Sequence, residues 1–312
     1  MTSVLARRDI SRIAPGRPCA VTIGVFDGVH RGHQHLVGRL LERARREGLA
    51  GVAVTFNPHP QAVLQPGTAI IYITTLEERV ELLQGLGLDA VAVLPFTSEL
   101  AQLSAREFVS LLVEEWEMKL LVVGPDFALG RRREGTVEVL RQLGRDLGFD
   151  VEIAELLVED GEKVGSSSVR QALVAGDMER VGHLLGRPFS LRGPVIPGVG
   201  RGRRIGFPTA NIALGPDRTL PIFGVYVTRA HVRENAYPSC TSIGVRPTFN
   251  AEAMPTVETY ILDFDQDLYG QELRIDLLHR LRGEMKFDSV DDLVAEINCD
   301  IEKTREYFRA HD

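Results

Sequence analysis

The sequence predicts an α/β domain built on a parallel sheet, followed by a small, mostly antiparallel β-barrel with a terminal helix. Two features of the chain predict this. Its first half alternates short β-branched runs with helical patterns, the order of βαβ units. After about Gly186 helical periodicity gives way to dense glycine and proline and to short turn-separated strands. The 312 residues exceed one ordinary core and suit two domains. The expected boundary gives 1–186 and 187–312.

Ala20–Phe26 (AVTIGVF) reads as a buried strand, and His33–Glu47 as a helix stopped by Gly48. Gly51–Phe56 is the next strand, followed by a Pro-rich loop. Thr75–Leu86 reads as a helix with Thr74 or Thr75 as N-cap and acidic residues in its first turn. Ala90–Leu94 and Leu120–Val123 are further strands, with a Ser104-capped helix between them. In such sheets ligands bind at the carboxyl ends of the strands. In the second half Gly224–Arg229, Ser239–Gly244, Val257–Phe264 and Leu273–Leu281 read as strands. Ser289–Phe308 closes the chain as an amphipathic helix with a serine N-cap.

Composition is that of a globular protein, 44% hydrophobic and 25% charged, with no biased tract. A net charge of -7 argues against nucleic acid or an anionic membrane as the main partner. Basic clusters occur at Arg43–Arg46, on a helix face, and at Arg131–Arg133 and Arg201–Arg204, beside glycines where a phosphorylated ligand is the economical explanation. No apolar run approaches the ~18–20 residues that cross a bilayer, and the N-terminus lacks a signal-peptide core. Cys19, Cys240 and Cys299 are far apart without CxxC spacing, which points to free thiols. The expected location is the cytoplasm.

The segment GVFDGVHRGHQHL places His30 and His33 where a strand gives way to a helix. Gly24 and Gly28 let the chain turn sharply, and Gly32 lets a phosphate chain approach the backbone. Free amides at the helix start attract anions, and two imidazoles can donate to developing phosphate charge. Alone, HxGH equally suits two helix-capping histidines; a metal site with His35 is a further alternative. GSSSVRQAL adds serines before a helix, ordinary N-caps by themselves, and Arg170 in the first turn. A cation is poorly placed at that end of the helix dipole unless an anion lies there.

In the second half, PGVGRGRRIGFPTANI joins a glycine-rich loop to Thr209 and Asn211, which share a face on a strand. A hydroxyl and an amide oxygen so placed can hold Mg²⁺ and a phosphate. No GK[ST] follows, so this is not a Walker A loop. Glu258, in TVETYILDFDQDLYG, reads by itself as a surface residue on an alternating strand.

Over nearly its whole length the chain resembles the bacterial bifunctional riboflavin kinase/FAD synthetases. GVFDGVHRGHQ and SSSVR look like their nucleotidyltransferase signatures, and PTAN after GxxxGRxxGF resembles their more specific riboflavin kinase signature. The resemblance implies a Rossmann-like FMN adenylyltransferase domain and a riboflavin kinase barrel. It implies that riboflavin and ATP give FMN and ADP, and that FMN and a second ATP give FAD and pyrophosphate, with Mg²⁺ as cofactor. By resemblance His30, His33 and Arg170 act in adenylyl transfer, and ATP meets Gly24, Phe26, Asp27, Gly32, Ser166 and Ser167. Asn57 in TFNPHP, with Asp126 and Phe127 in GPDFALG, places nucleotide or flavin. In the kinase Glu258 orients the riboflavin hydroxyl and accepts its proton. Gly200, Gly206 and Pro208 meet ATP, Thr209 and Asn211 hold the metal, and Arg282 shapes the flavin pocket. A monomer or weak homo-oligomer is expected.

Three positions depart from the family pattern: Gly165 opens the serine run, Leu129 stands where an aromatic is common, and Tyr260 replaces a histidine. Rival readings are a kinase with a decayed first domain, a flavin-binding regulator, and an adenylyltransferase for another phosphorylated substrate. The intact His30, His33, Ser166, Ser167 and Arg170 weigh against the first, and Glu258 against the second. PTAN and Glu258 in a separate domain weigh against the third.

Overall fold

The computed structural model describes residues 2–159, 161–245 and 255–311. It forms two compact units, Met1–Ser166 and Ser167–Asp312.

The first unit is a five-stranded parallel sheet. Its strands are β1 (Cys19–Ile23), β2 (Ala50–Asn57), β3 (Ala90–Pro95), β4 (Met118–Val123) and β5 (Asp150–Ile153), in the order β3-β2-β1-β4-β5. Neighbouring residues of the central strands enter opposite cores. Val21, Val52 and Leu121 pack on one face with Leu112 and Trp116, whereas Ala20, Ala53 and Leu120 pack on the other with Leu40 and Leu83. Both faces are apolar, so these strands read as continuous hydrophobic runs rather than alternating ones.

The longer helices are α1 (Thr2–Ser11), α2 (Arg31–Glu47), α3 (Leu76–Gly85), α4 (Ala105–Trp116) and α5 (Val137–Leu147). Helix α2 buries Val37, Leu40, Leu41 and Ala44, one stripe at helical spacing, and ends at Gly48 in the left-handed conformation with φ 66°. Thr75 with Glu78, and Ser104 with Glu107, form capping boxes at α3 and α4. The Trp116 indole donates to the Ile10 carbonyl at 2.8 Å and ties α1 to α4. The predicted first strand stops at Ile23 rather than Phe26, because Phe26 takes φ 54° and leaves extended geometry. Helices α1 and α5 and strand β5 were not foreseen. The strand order reverses between β1 and β4, and the crevice beyond their carboxyl ends is where such sheets take ligands.

The second unit holds α6 (Ser166–Ala175), whose first residue belongs to the first unit, α7 (Met178–Leu185), six barrel strands and the terminal helix. The strands are β6 (Phe189–Ile196), β7 (Ala210–Ile212), β8 (Gly224–Val232), β9 (Asn235–Val245), β10 (Pro255–Ile261) and β11 (Glu272–Arg282). They close antiparallel in the order β6-β7-β10-β9-β8-β11. Inside the barrel the fully buried Thr228 bonds Ser239 and Thr241 at 2.7 Å each, and Thr241 bonds Thr259 at 2.9 Å. These hydroxyls satisfy one another, which is what makes polar groups tolerable there. Helix α8 (Val290–His311) starts at the foreseen cap, where the Ser289 hydroxyl accepts from the Asp292 amide at 3.1 Å. Compactness groups α6 and α7 with the barrel. The Ile222 amide donates to the Leu173 carbonyl at 3.0 Å, and a Cβ on Gly176 would stand 2.6 Å from the Arg280 side chain.

Candidate active sites

At the carboxyl end of β1 the chain turns through Gly24–His30 into α2. Within this turn Phe26 and Val29 take positive φ of 54° and 40° and are both 1% exposed. A β-branched residue there is strained, and burial of both side chains offsets the cost. Asp27, 5% exposed, accepts from the Ile73 amide at 2.9 Å and the Thr74 amide at 3.1 Å. The Gly28 amide donates to the Thr74 hydroxyl at 3.0 Å. Asp27 thus clamps the turn to the segment before α3, and its carboxylate is engaged in that task.

His30 caps α2, its Nδ1 accepting from the His33 amide at 3.3 Å. The His30 and His33 rings stack with centroids 3.7 Å apart. His33 Nδ1 is buried without a hydrogen-bond partner. Desolvation of the ring, then the neighbouring His30 and Arg79, hold His33 well below the ordinary imidazole range. Its ring is therefore neutral at pH 7. A Cβ on Gly32 would lie 2.7 Å from the Val164 carbonyl, so glycine is needed there for packing. The Ser166 hydroxyl donates to the Asp27 carbonyl at 3.0 Å. The start of the serine run is thereby fastened to the histidine turn. Ser167 and Arg170 lie in the first turn of α6, the former exposed and the latter half-buried.

Beside the turn opens a cleft of about 1070 Å³, lined in part by Gly24, Phe56, His59, Phe96, Asp126 and Phe127. Asp126 is exposed, and an ion pair with Lys163 at 2.8 Å holds its carboxyl below the usual carboxylate range. Leu129 and the Arg131–Arg133 turn also line the cleft, whereas Asn57, at the end of β2, does not. Aromatic walls with a few cations suit a flat, phosphorylated ligand.

In the second unit Asn211 on β7 pairs directly with Glu258 on β10, and the Thr209 hydroxyl donates to the Glu258 carboxylate at 3.5 Å. The glycine-rich loop lies close over them. A Cβ on Gly198 would stand 2.5 Å from the Asn211 amide, and one on Gly202 would stand 2.3 Å from the Phe207 carbonyl. Gly200 and Gly206 have open space, but φ of 69° and 92° favours glycine at both. Pro208 is exposed at the head of this segment. A hydroxyl, an amide oxygen and a carboxylate are hard oxygen donors, and this set fits Mg²⁺. Among the described residues no group of three or more His, Cys, Asp or Glu is arranged to hold a metal ion.

Comparison with known proteins joins the two sites. Residues 13–168 match the model of the FAD synthetase family, and residues 185–308 match that of riboflavin kinase. A bifunctional riboflavin kinase/FMN adenylyltransferase of Pseudomonas fluorescens is 39% identical over 93% of each chain. Its namesake in Escherichia coli K12 is 38% identical over 95% of this chain and 94% of its own. The chain belongs to the bifunctional riboflavin kinase/FMN adenylyltransferase family. A solved structure described as a macrolide-efflux protein from Streptococcus pneumoniae has the same fold, with a TM-score of 0.88 and 34% identity, covering 95% of this chain and 96% of that one. Among the described residues no helix of this family member is long and apolar enough to cross a membrane.

Two features of this family member were not foreseen: the burial of Arg79 and the ion pairs of Arg282. Arg79, in the first turns of α3, is only 2% exposed, and its guanidinium lies 5.4 Å from the Tyr72 ring centroid. Arg282, expected at the flavin, forms a bidentate ion pair with Asp300 at 2.8–3.1 Å and meets Glu296 at 3.2 Å. Of the family departures, Tyr260 packs edge-on against Phe207, ring centroids 5.8 Å apart, and so braces the kinase loop.

Proposed function

We propose that FMN is made at Thr209, Asn211 and Glu258 of the barrel, and FAD at the histidine turn and its cleft. The observation that carries this reading is the pairing of each motif with a fitting surface. The histidine turn borders a cleft wide enough for a flavin, and Glu258 faces a hydroxyl and an amide beneath a glycine loop. Functionally we divide the chain at 1–186 and 187–312.

In the kinase, the Glu258 carboxylate accepts the proton of the riboflavin primary hydroxyl as that oxygen attacks the γ-phosphorus of ATP, and ADP leaves. Thr209 and Asn211 hold Mg²⁺, which screens phosphate charge when bound. Gly200, Gly206 and Pro208 form the wall over the nucleotide. In the adenylyltransferase, a phosphate oxygen of FMN attacks the α-phosphorus of ATP, and pyrophosphate leaves. That nucleophile is already anionic, so alignment and charge neutralisation suffice without a base. His30, His33 and the N-terminus of α2 receive the triphosphate, with Gly24, Phe26, Gly32 and Ser166 around them. Asp126 and Phe127 flank the flavin. Asp27 acts by holding the turn. Ser167 and Arg170 remain phosphate ligands in this reading on the strength of their motif.

Neither site suits nucleic acid or a membrane surface. We expect a cytoplasmic monomer or weak homo-oligomer that releases FMN and rebinds it. The test is a time course of purified protein with riboflavin, ATP and Mg²⁺, resolving FMN from FAD by HPLC. FMN rising first and FAD following supports both sites; FMN without FAD refutes the reading of the first.

A further inference from the structure

A buried arginine lies behind the histidine pair. Arg79 is 2% exposed, and its Nε is sealed from solvent with no hydrogen-bond partner. Leaving a buried charged donor unmatched costs free energy that a Met or Leu of similar volume would not incur. Asp27 attracts the guanidinium and offsets part of that cost, but Asp27 spends its oxygens on the Ile73 and Thr74 amides. Helix packing alone gives no reason to keep a cation here.

Its surroundings give one. The guanidinium sits over Tyr72 at 5.4 Å, and the Tyr72 hydroxyl accepts from the amide of His59, which lines the cleft. The charge of Arg79 also reaches His33, whose Nδ1 is likewise buried and unpartnered. Arg79 is thus linked to the cleft through Tyr72 and to the histidine turn through Asp27, which holds the segment leading into α3.

We propose that Arg79 is a positioning residue for adenylyl transfer: the fixed cation that braces the His30–His33 stack and keeps positive charge beneath the incoming triphosphate. This rests on the reading of the histidine turn as the adenylyltransferase site. The titratable neighbours are few. His30 and Arg79 face His33, while Asp27, Tyr72 and Glu77 face Arg79. Burial and the Arg79 cation oppose protonation of His33, so its ring stays a neutral, oriented donor until phosphate arrives.

The experiment compares Arg79→Met and Arg79→Lys with the parent enzyme, measuring FAD formation from supplied FMN across pH. Riboflavin phosphorylation by the same chain serves as internal control. We expect Arg79→Met to retain kinase activity, to lose on the order of tenfold or more in kcat/KM for FAD formation, and to shift its acid limb to higher pH. Arg79→Lys should recover most of the loss and restore the limb. An unchanged kcat/KM and unchanged limb in Arg79→Met would overturn the proposal. So would a loss in both variants that tracks a fall in Tm without any movement of the limb. His33→Ala is run alongside. If it abolishes FAD formation while Arg79→Met does not, the inference alone fails; if neither variant matters, the site reading beneath it fails.

Discussion

The Glu258 carboxylate stands 3.5 Å from the Thr209 hydroxyl and directly across the ladder from Asn211. This places a proton acceptor beside the two expected metal-holding side chains. Glu258→Gln keeps the shape and removes the acceptor. FMN formation should fall by about 10²–10⁴-fold, as for other general bases. FAD formation from supplied FMN should be unchanged. Separate HPLC assays of the two half-reactions check both statements, and equal losses in the two would count against the assignment.

His33 gives the first unit a pH signature. Its folded-state pKa lies well below the ordinary 6.5, chiefly through desolvation. Between that lowered value and about 6.5 the unfolded chain binds a proton that the folded one refuses. Stability therefore rises with pH across this window and is lost on acidification, with a slope of at most about 1.4 kcal/mol per pH unit. His33→Gln should flatten that slope. Thermal unfolding from pH 7 to pH 5, parent against variant, measures it.

Gly32 shows how far the motif was legible. HxGH marked the turn and suggested glycine for close phosphate approach, but nothing local foretold the Val164 carbonyl 2.7 Å from its missing Cβ. That contact joins segments distant in sequence, and no local pattern encodes it. Arg79 was invisible for a related reason. In LEERVELL a basic residue reads as solvated face, and its burial against the Tyr72 ring is a tertiary contact that no local pattern encodes. The barrel was legible in its four long strands. Strand β6 was missed although Phe189, Leu191 and Val195 alternate inward, because Gly193 and Pro194 interrupt the run.

The Gly32 contact predicts its own outcome. Gly32→Ala must push the Val164 backbone away, an overpacking cost of about 1–3 kcal/mol. Since Ser166 follows and bonds Asp27, the serine run moves with it. FAD formation should fall while FMN formation holds. Full FAD activity in a normally stable Gly32→Ala protein would refute the packing argument.

The last prediction separates a strut from a ligand. Arg282 and Asp300 have side chains only 16% and 4% exposed, and the guanidinium also faces the Phe287 ring at 5.9 Å. Asp300→Asn leaves that cation with Glu296 as its carboxylate partner, and removing one partner of a buried pair costs about 3–5 kcal/mol. Arg282→Met with Asp300→Leu removes both charges together, so most of that stability should return. The pair joins β11 to α8, and both variants report on that joint through Tm. Riboflavin KM supplies the second readout. A stable double variant with parental KM makes Arg282 a strut for the terminal helix. A stable double variant whose KM rises while kcat holds makes its guanidinium part of flavin binding, because an interaction equal in ground and transition states appears in KM alone.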